Sequence, residues 1–302
     1  MKGKPWLIYA FVTTLFWGFW GALIEIPEKA GFPATLGYSV WAVTMIIPAF
    51  VVLKKIGWQI EFDKRAIWLG LVIGFTGAGG QIILFQALRT GPAYLVFPFI
   101  SLSPVITILL SIFLLKEKAS KRGWTGIILA LVAIPLLSYQ PGNDANSSGY
   151  LWIVLSLLVF LAWGFQAYVM KFANETMKGE SIFFYMTLTG IILIPFAILM
   201  TDFSQPINWG WNGPYLTAAI QLLNAIGALT LVFAFRYGKA IIVSPMVNAV
   251  APIITVLISL MIYQVIPHPI IVGGIVVAIG AAYLLAVEED DSSEENKGAT
   301  AE

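Results

Sequence analysis

The chain has no cysteine and a single histidine, and only 11% of its 302 residues are charged. Without thiols there are no disulfides, thiol nucleophiles or soft-metal thiolate sites. The one histidine, His268, stands between Pro267 and Pro269, and no H-E-x-x-H occurs. The Asp residues fall in loops or the tail, so the constellation an intramembrane enzyme needs is missing, and no metal or cofactor is expected. Soluble domains carry about 25% charged residues, so this chain has less than half the usual polar coating. A formal net charge of +1 gives no electrostatic basis for binding nucleic acid.

Apolar length is what the chain has in abundance. Hydrophobic residues make up 59% and mean hydropathy is +0.87, the composition of an integral membrane protein. The start, MKGKPW followed by an apolar block, is not read as a signal peptide: the block runs too long, lacks an A-x-A site and resembles a later segment. A membrane span needs about 20 apolar residues. Ten such blocks are expected: Trp6–Ile26, Ala34–Leu53, Ala66–Leu88, Pro92–Leu115, Gly123–Tyr139, Tyr150–Met170, Ser181–Thr201, Gly213–Phe235, Ala240–Val265 and His268–Val287. The longest interior loops, Lys54–Arg65 and Gln140–Gly149, are too short for a soluble domain, and the acidic tail 288–302 reads as disordered. Placing the N-terminus inside puts all but two of the 17 Lys and Arg, Lys29 and Arg89, on the cytoplasmic side, as the positive-inside rule requires. Both termini are then cytoplasmic.

The chain also repeats itself at an offset of about 147 positions. Trp17-Gly18-Phe19 meets Trp163-Gly164-Phe165, Tyr38 meets Tyr185, Pro48 meets Pro195, Arg89-Thr90-Gly91 meets Arg236-Tyr237-Gly238, and Pro98 meets Pro245. One inserted residue then brings Pro104 opposite Pro252 and Gly126 opposite Gly274. The expected fold is therefore all-α and integral to the membrane, ten transmembrane helices in two inverted five-helix repeats, 1–140 and 141–287. Five is odd, so the second repeat enters the membrane upside down, a plan that in secondary transporters puts substrate between the halves near the midplane.

The five-plus-five plan, the early LFWGFWGA and the run SPVITILLSIFLLKEKASKRGWTGIILALVAIPLL resemble the drug/metabolite transporter superfamily, specifically its EamA-type members. Leu115-Lys116-Glu117-Lys118 followed by Gly123 and Gly126 matches the motif that ends the fourth helix of that family. In the second half Val265 stands where Glu117 would recur. The aromatic-rich first helix and long second loop also resemble the superfamily's bacterial sugar-uptake branch. The resemblance implies a multi-pass protein of the bacterial cytoplasmic membrane and cavity-lining roles for the first, third, fourth, sixth, eighth and ninth helices.

Polar groups inside the apolar blocks are the candidate substrate site, because an amide facing lipid leaves costly unmet hydrogen bonds. They are Trp17 and Trp20 (first helix), Gln81 and Gln86 (third), Pro98 and Ser101 (fourth), Trp163, Gln166 and Tyr168 (sixth), Gln221 and Asn224 (eighth), and Asn248 (ninth). The competing reading is interhelical glue. Pro104, Pro245 and Pro252 interrupt apolar helices and are candidate hinges. Glu25, Arg89 and Arg236 sit near the membrane faces, as snorkelling anchors or as gate and coupling groups, with Glu25 a candidate proton carrier paired with Arg89. Gly91 and Gly238 would allow the tight turns before the fourth and ninth helices. Trp6, Trp58, Trp68, Trp152, Trp209 and Trp211 fall at block ends, as an interfacial belt would.

The expected activity is secondary transport of a small polar organic metabolite (sugar, amino acid or nucleoside) by alternating access, and the alternative is flipping of a lipid or lipid-linked sugar. Expected partners are the substrate, the bilayer and a proton or sodium ion as coupling ion, with the protein a monomer or weak homodimer whose fifth and tenth helices are peripheral supports or a dimer surface.

Overall fold

The computed structural model describes residues 4–90, 93–137, 139, 150–263 and 267–287, excluding the side chains of 93–95, 98 and 263. The expectations for Gly91, the side chain of Pro98, the loop 140–149, Val265 and the tail 288–302 lie outside the described residues.

Regular structure there is helical: α1 Pro5–Leu23, α2 Glu25–Lys29, α3 Ala34–Thr44, α4 Ile46–Lys55, α5 Lys64–Thr90, α6 Ala93–Ser101, α7 Pro104–Leu114, α8 Lys121–Leu137, α9 Leu151–Ala173, α10 Gly179–Ile192, α11 Ile194–Leu199, α12 Leu216–Tyr237, α13 Ala240–Tyr263 and α14 Pro269–Ala286. A backbone in hydrocarbon must satisfy its own hydrogen bonds, which a helix does within itself. Among the described residues eight segments are long and apolar enough to cross a membrane: Pro5–Lys29, Ala34–Lys55, Lys64–Thr90, Leu151–Ala173, Gly179–Leu199, Trp211–Tyr237, Ala240–Ile262 and Pro269–Ala286. The fourth expected span is split into α6 and α7, and the fifth is the shorter α8, of 17 residues.

Proline explains where the spans break. Each proline removes the N–H that would bond the carbonyl four residues back. Pro27 separates α1 from α2, Pro48 separates α3 from α4, Pro104 separates α6 from α7, and Pro195 separates α10 from α11. Of the candidate hinges only Pro104 interrupts a helix. Pro245 and Pro252 lie inside α13, which runs through both, as membrane helices tolerate when neighbours cover the freed carbonyls.

The principal packing runs between the two halves of the chain. The first-half α1 packs against α12 and α13, and the second-half α9 packs against α5, α6 and α7. α10 packs on α5, α3 on α12, and α8 on α14, where Gly126 faces Leu285 and Gly274 faces Leu136 and the backbone at Leu137.

The buried core includes Trp6, Ile73, Ile127, Phe183 and Phe235. Trp6 is only 2% exposed, so it is a core residue and not part of the interfacial belt, whereas Trp58, Trp68, Trp209 and Trp211 are exposed. Ile8, Phe11, Phe113 and Val276 are also exposed, an apolar surface that fits lipid. His268 caps α14, its Nδ1 accepting the Ile270 N–H at 3.3 Å, and its ring lies 4.8 Å from that of Tyr139.

Hydrogen bonds sort the connections by end. At the end richest in Lys and Arg, turns 56–63, 115–120, 174–178 and 238–239 meet one another, and Gly238 touches Trp6. At the other end Arg89 Nη1 donates to Met200 O at 3.2 Å, the Thr35 and Thr201 hydroxyls are 2.7 Å apart, and Asn208 bonds Ala30 and Gly31.

Candidate functional site

The two Trp-Gly pairs sit in matching settings. The Trp17 indole N–H donates to Asn224 O at 3.3 Å, and the Trp163 indole N–H donates to Gly77 O at 3.2 Å. Asn224 and Gly77 occupy corresponding positions of the repeat. The next carbonyls, of Gly18 and Gly164, accept from Thr255 Oγ1 at 3.1 Å and Thr107 Oγ1 at 3.0 Å, another corresponding pair. Each indole lies against a glycine, Trp17 on Gly227 and Trp163 on Gly80, where a Cβ would overlap the ring. The first helix of each half is thus wedged between the third and fourth helices of the other. Thr107, Thr255, Gly80 and Gly227 were not among the expected site residues; their spacing at the repeat offset is the signal that could have found them.

Beside Trp17 lies a polar cluster. Trp20 Nε1 donates to Gln221 Oε1 at 3.0 Å, Asn224 Nδ2 reaches the same oxygen at 3.4 Å, and Gln221 Nε2 donates to Gly37 O at 3.2 Å. Gln221 is buried, and both acceptor positions of its oxygen are used. Asn224 keeps its oxygen and one N–H unpaired among the described residues. At the other Trp-Gly pair, Gln166 lies against Gly77, and Gln81 follows one turn later on the same face of α5. The amides of Gln81 and Gln166 are half-buried and make no hydrogen bond among the described residues, yet neither is sealed from the surface. An amide left this way inside an apolar bundle costs free energy unless water or a ligand reaches it.

Other expected residues are not brought to this cluster. Tyr168 is two positions from Gln166, so it points to the opposite side of α9, where it stacks on Phe172 beneath Arg65. Gln86 is five positions from Gln81 and lies off that face. The Ser101 hydroxyl donates to Phe97 O and the Asn248 amide to Ser244 O, both within their own chain segment. Glu25 is exposed and pairs with Lys29 at 2.6 Å, not with Arg89. Arg236 Nη1 donates to Met177 O at 3.0 Å.

An apolar groove of about 410 Å³, lined by Trp68, Leu71, Phe75, Gly79 and Ile83, opens beside α5 and α9 and reaches Gly80, the glycine under Trp163. Among the described residues no group of His, Asp and Glu could hold a metal ion.

The model of the EamA-like transporter family matches the chain twice, over residues 4–139 and 149–287. Protein LicB of Haemophilus influenzae is 23% identical over 212 residues, covering 66% of this chain and 70% of LicB. A protein of Hamiltonella defensa named as a probable 4-amino-4-deoxy-L-arabinose-phosphoundecaprenol flippase subunit ArnE is 37% identical over 81 residues, 26% of this chain and 72% of that protein. The uncharacterized transporter YxxF of Bacillus subtilis is 26% identical over 155 residues, 49% of each chain. A crystal structure superposes with a TM-score of 0.74 over 94% of this chain and 96% of its own, at 14% identity, which concerns the fold alone. Two family matches that together span nearly all of a helical, multi-pass membrane protein make it a member of the EamA-like transporter family.

Proposed function

We propose that the protein is a secondary transporter of the bacterial cytoplasmic membrane, carrying a small polar organic metabolite by alternating access between two inverted five-helix repeats, ten spans in all, with both termini cytoplasmic. The observation that carries this reading is the unfilled hydrogen-bonding capacity of Gln81, Gln166 and Asn224 beside the two Trp-Gly wedges. Water or a polyhydroxylated or amino-bearing solute would complete it, with the indoles of Trp17 and Trp163 as apolar walls. Residues packing across the repeats would change partners as the halves rock. Glu25, exposed and ion-paired, serves as an interfacial anchor, and the solute gradient is the driving force.

A thermal-shift screen of sugars, amino acids and nucleosides on the purified protein tests this, since a ligand stabilises the state it binds. The expected result is a shift from one class that is lost in Gln166→Leu; no shift from any class, with no solute uptake in proteoliposomes, would overturn it. The second reading is lipid-linked sugar flipping, favoured by the ArnE relatives and by the apolar groove that reaches Gly80. Translocation of a fluorescent lipid-linked sugar without solute uptake would select it.

A further inference from the structure

Two non-glycine residues among those described have positive φ, Trp58 at 60° and Lys116 at 58°. That region costs an L-residue roughly 1–2 kcal/mol, and such strain points toward function when the surroundings hold it in place. Trp58 lies in the turn between α4 and α5, and Lys116 in the turn between α7 and α8. Both turns come from the first half and stand at the basic end, and each delivers a carboxylate to a second-half helix. Lys116 reverses the chain so that the Glu117 N–H returns to Ser111 O at 3.2 Å. The Glu117 carboxylate then accepts the N–H groups of Ala240 and Ile241, each at 3.0 Å, at the start of α13. Three residues after Trp58, both oxygens of Glu61 accept the Lys178 N–H, at 3.1 and 3.2 Å, at the start of α10. The Glu61 backbone is held as well, its N–H by Ser181 Oγ at 3.2 Å and its carbonyl by the Tyr185 hydroxyl at 2.7 Å.

Helix N-termini carry unpaired N–H groups and a partial positive charge, so a carboxylate there makes charge-assisted bonds. We propose that Glu61 and Glu117 form a paired latch that closes the basic-end mouth of the transport path by tying the first-half turns to the N-termini of α10 and α13. This rests on the alternating-access reading, which requires the halves to part at this end. One turn behind the Glu117 contact, Ser244 is 3% exposed and lies 3.5 Å from Thr107, itself bonded to Gly164 beside Trp163. Ser244 is thus buried between the Glu117 contact and the Trp163 site. Lys239 Nζ, donating to Lys118 O at 2.9 Å, and Arg236, donating to Met177 O, brace the same end. At the opposite end the described contacts are Arg89 to a carbonyl, paired threonines and Asn208 to backbone, with no carboxylate joined to a helix start.

The absence of native cysteine gives a clean assay. In nanodiscs, where both faces are open, alkylation of Ser244→Cys by a charged maleimide reports opening of the basic end, and Thr35→Cys, buried against Thr201, reports the other. Full-length E61Q/E117Q is expected to alkylate about tenfold faster at position 244, the scale of losing charge-assisted hydrogen bonds, with no rise at position 35. Equal rates at 244 in wild type and variant overturn the latch, as does an equal rise at both reporters, which would be general loosening. E61D and E117D, which shorten the reach by one methylene, are read the same way if the double variant fails to fold. The assay needs no substrate. A contrast at 244 without any transport would leave the latch standing and remove the transport reading; transport without the contrast would do the reverse.

Discussion

Trp20 donates its indole N–H to the side-chain oxygen of Gln221 at 3.0 Å. The bond joins α1 to α12, one helix from each half, and the same oxygen takes the Asn224 amide. Gln221 is therefore an organiser of the cluster more than a donor to a ligand. Asn224, one turn further along α12, keeps its side-chain oxygen and one N–H unpaired among the described residues.

Gln221→Leu should strand two donors and lower stability by about 0.6–1.7 kcal/mol, the range for interhelical hydrogen bonds in membranes. A double-mutant cycle with Trp20→Phe isolates the pair. If the two substitutions add without coupling in thermal unfolding, the bond contributes nothing measurable.

Adjacent glycines in α5 should behave oppositely. A methyl at Gly80 would sit 2.5 Å from Trp163 Nε1, whereas nothing lies within 4 Å of one at Gly79. Gly80→Ala is expected to cost about 1–3 kcal/mol through overpacking, and to weaken any ligand-induced thermal shift by moving the indole. Gly79→Ala should leave both unchanged. Equal behaviour of the two variants would show that the wedge yields freely.

How much of this was legible in the sequence follows from the kind of signal each feature leaves. The pairs Trp17-Gly18 and Trp163-Gly164 were legible because both halves keep them at one offset, whereas Gly227 and Gly80, on which the indoles rest, were not. The breaks at Pro27, Pro48 and Pro195 were not drawn, since hydropathy runs smoothly across a proline that costs a single hydrogen bond. Tyr168 was grouped with Gln166 by neighbourhood in sequence, although 3.6 residues per turn sends them to opposite faces. Glu117 looked solitary because its mate was sought at Val265. Its structural counterpart, Glu61, comes from a different loop, and a helix N-terminus accepts a carboxylate from any loop that reaches it.

Acidity should act through Glu117. Burial pushes its carboxyl above the ordinary glutamate value of 4.5, outweighing the pull of the Ile241 and Ala240 N–H groups and of the nearby Lys171 and Lys239. A group whose folded-state pKa is raised adds stability that is fully present below its unfolded pKa and lost as pH rises through the folded one. The Tm of the wild type relative to Glu117→Gln should therefore rise as pH falls from neutral toward 4.5. An opposite slope would mean that the fold favours the ionised form.

Glu25 gives the last expectation, and it decides between anchor and proton carrier. Its carboxylate is exposed and held by Lys29 one turn later. Arg89, the partner that would have made a gate with it, is committed instead to the Met200 carbonyl. An exposed i,i+4 pair contributes about 0.3–0.5 kcal/mol. Glu25→Gln should thus leave both Tm and solute accumulation in proteoliposomes nearly unchanged, with or without an imposed pH gradient. Loss of accumulation in the variant only when the pH gradient drives it would restore Glu25 as a coupling group. The anchor reading would then be wrong, and the driving force would be a proton gradient.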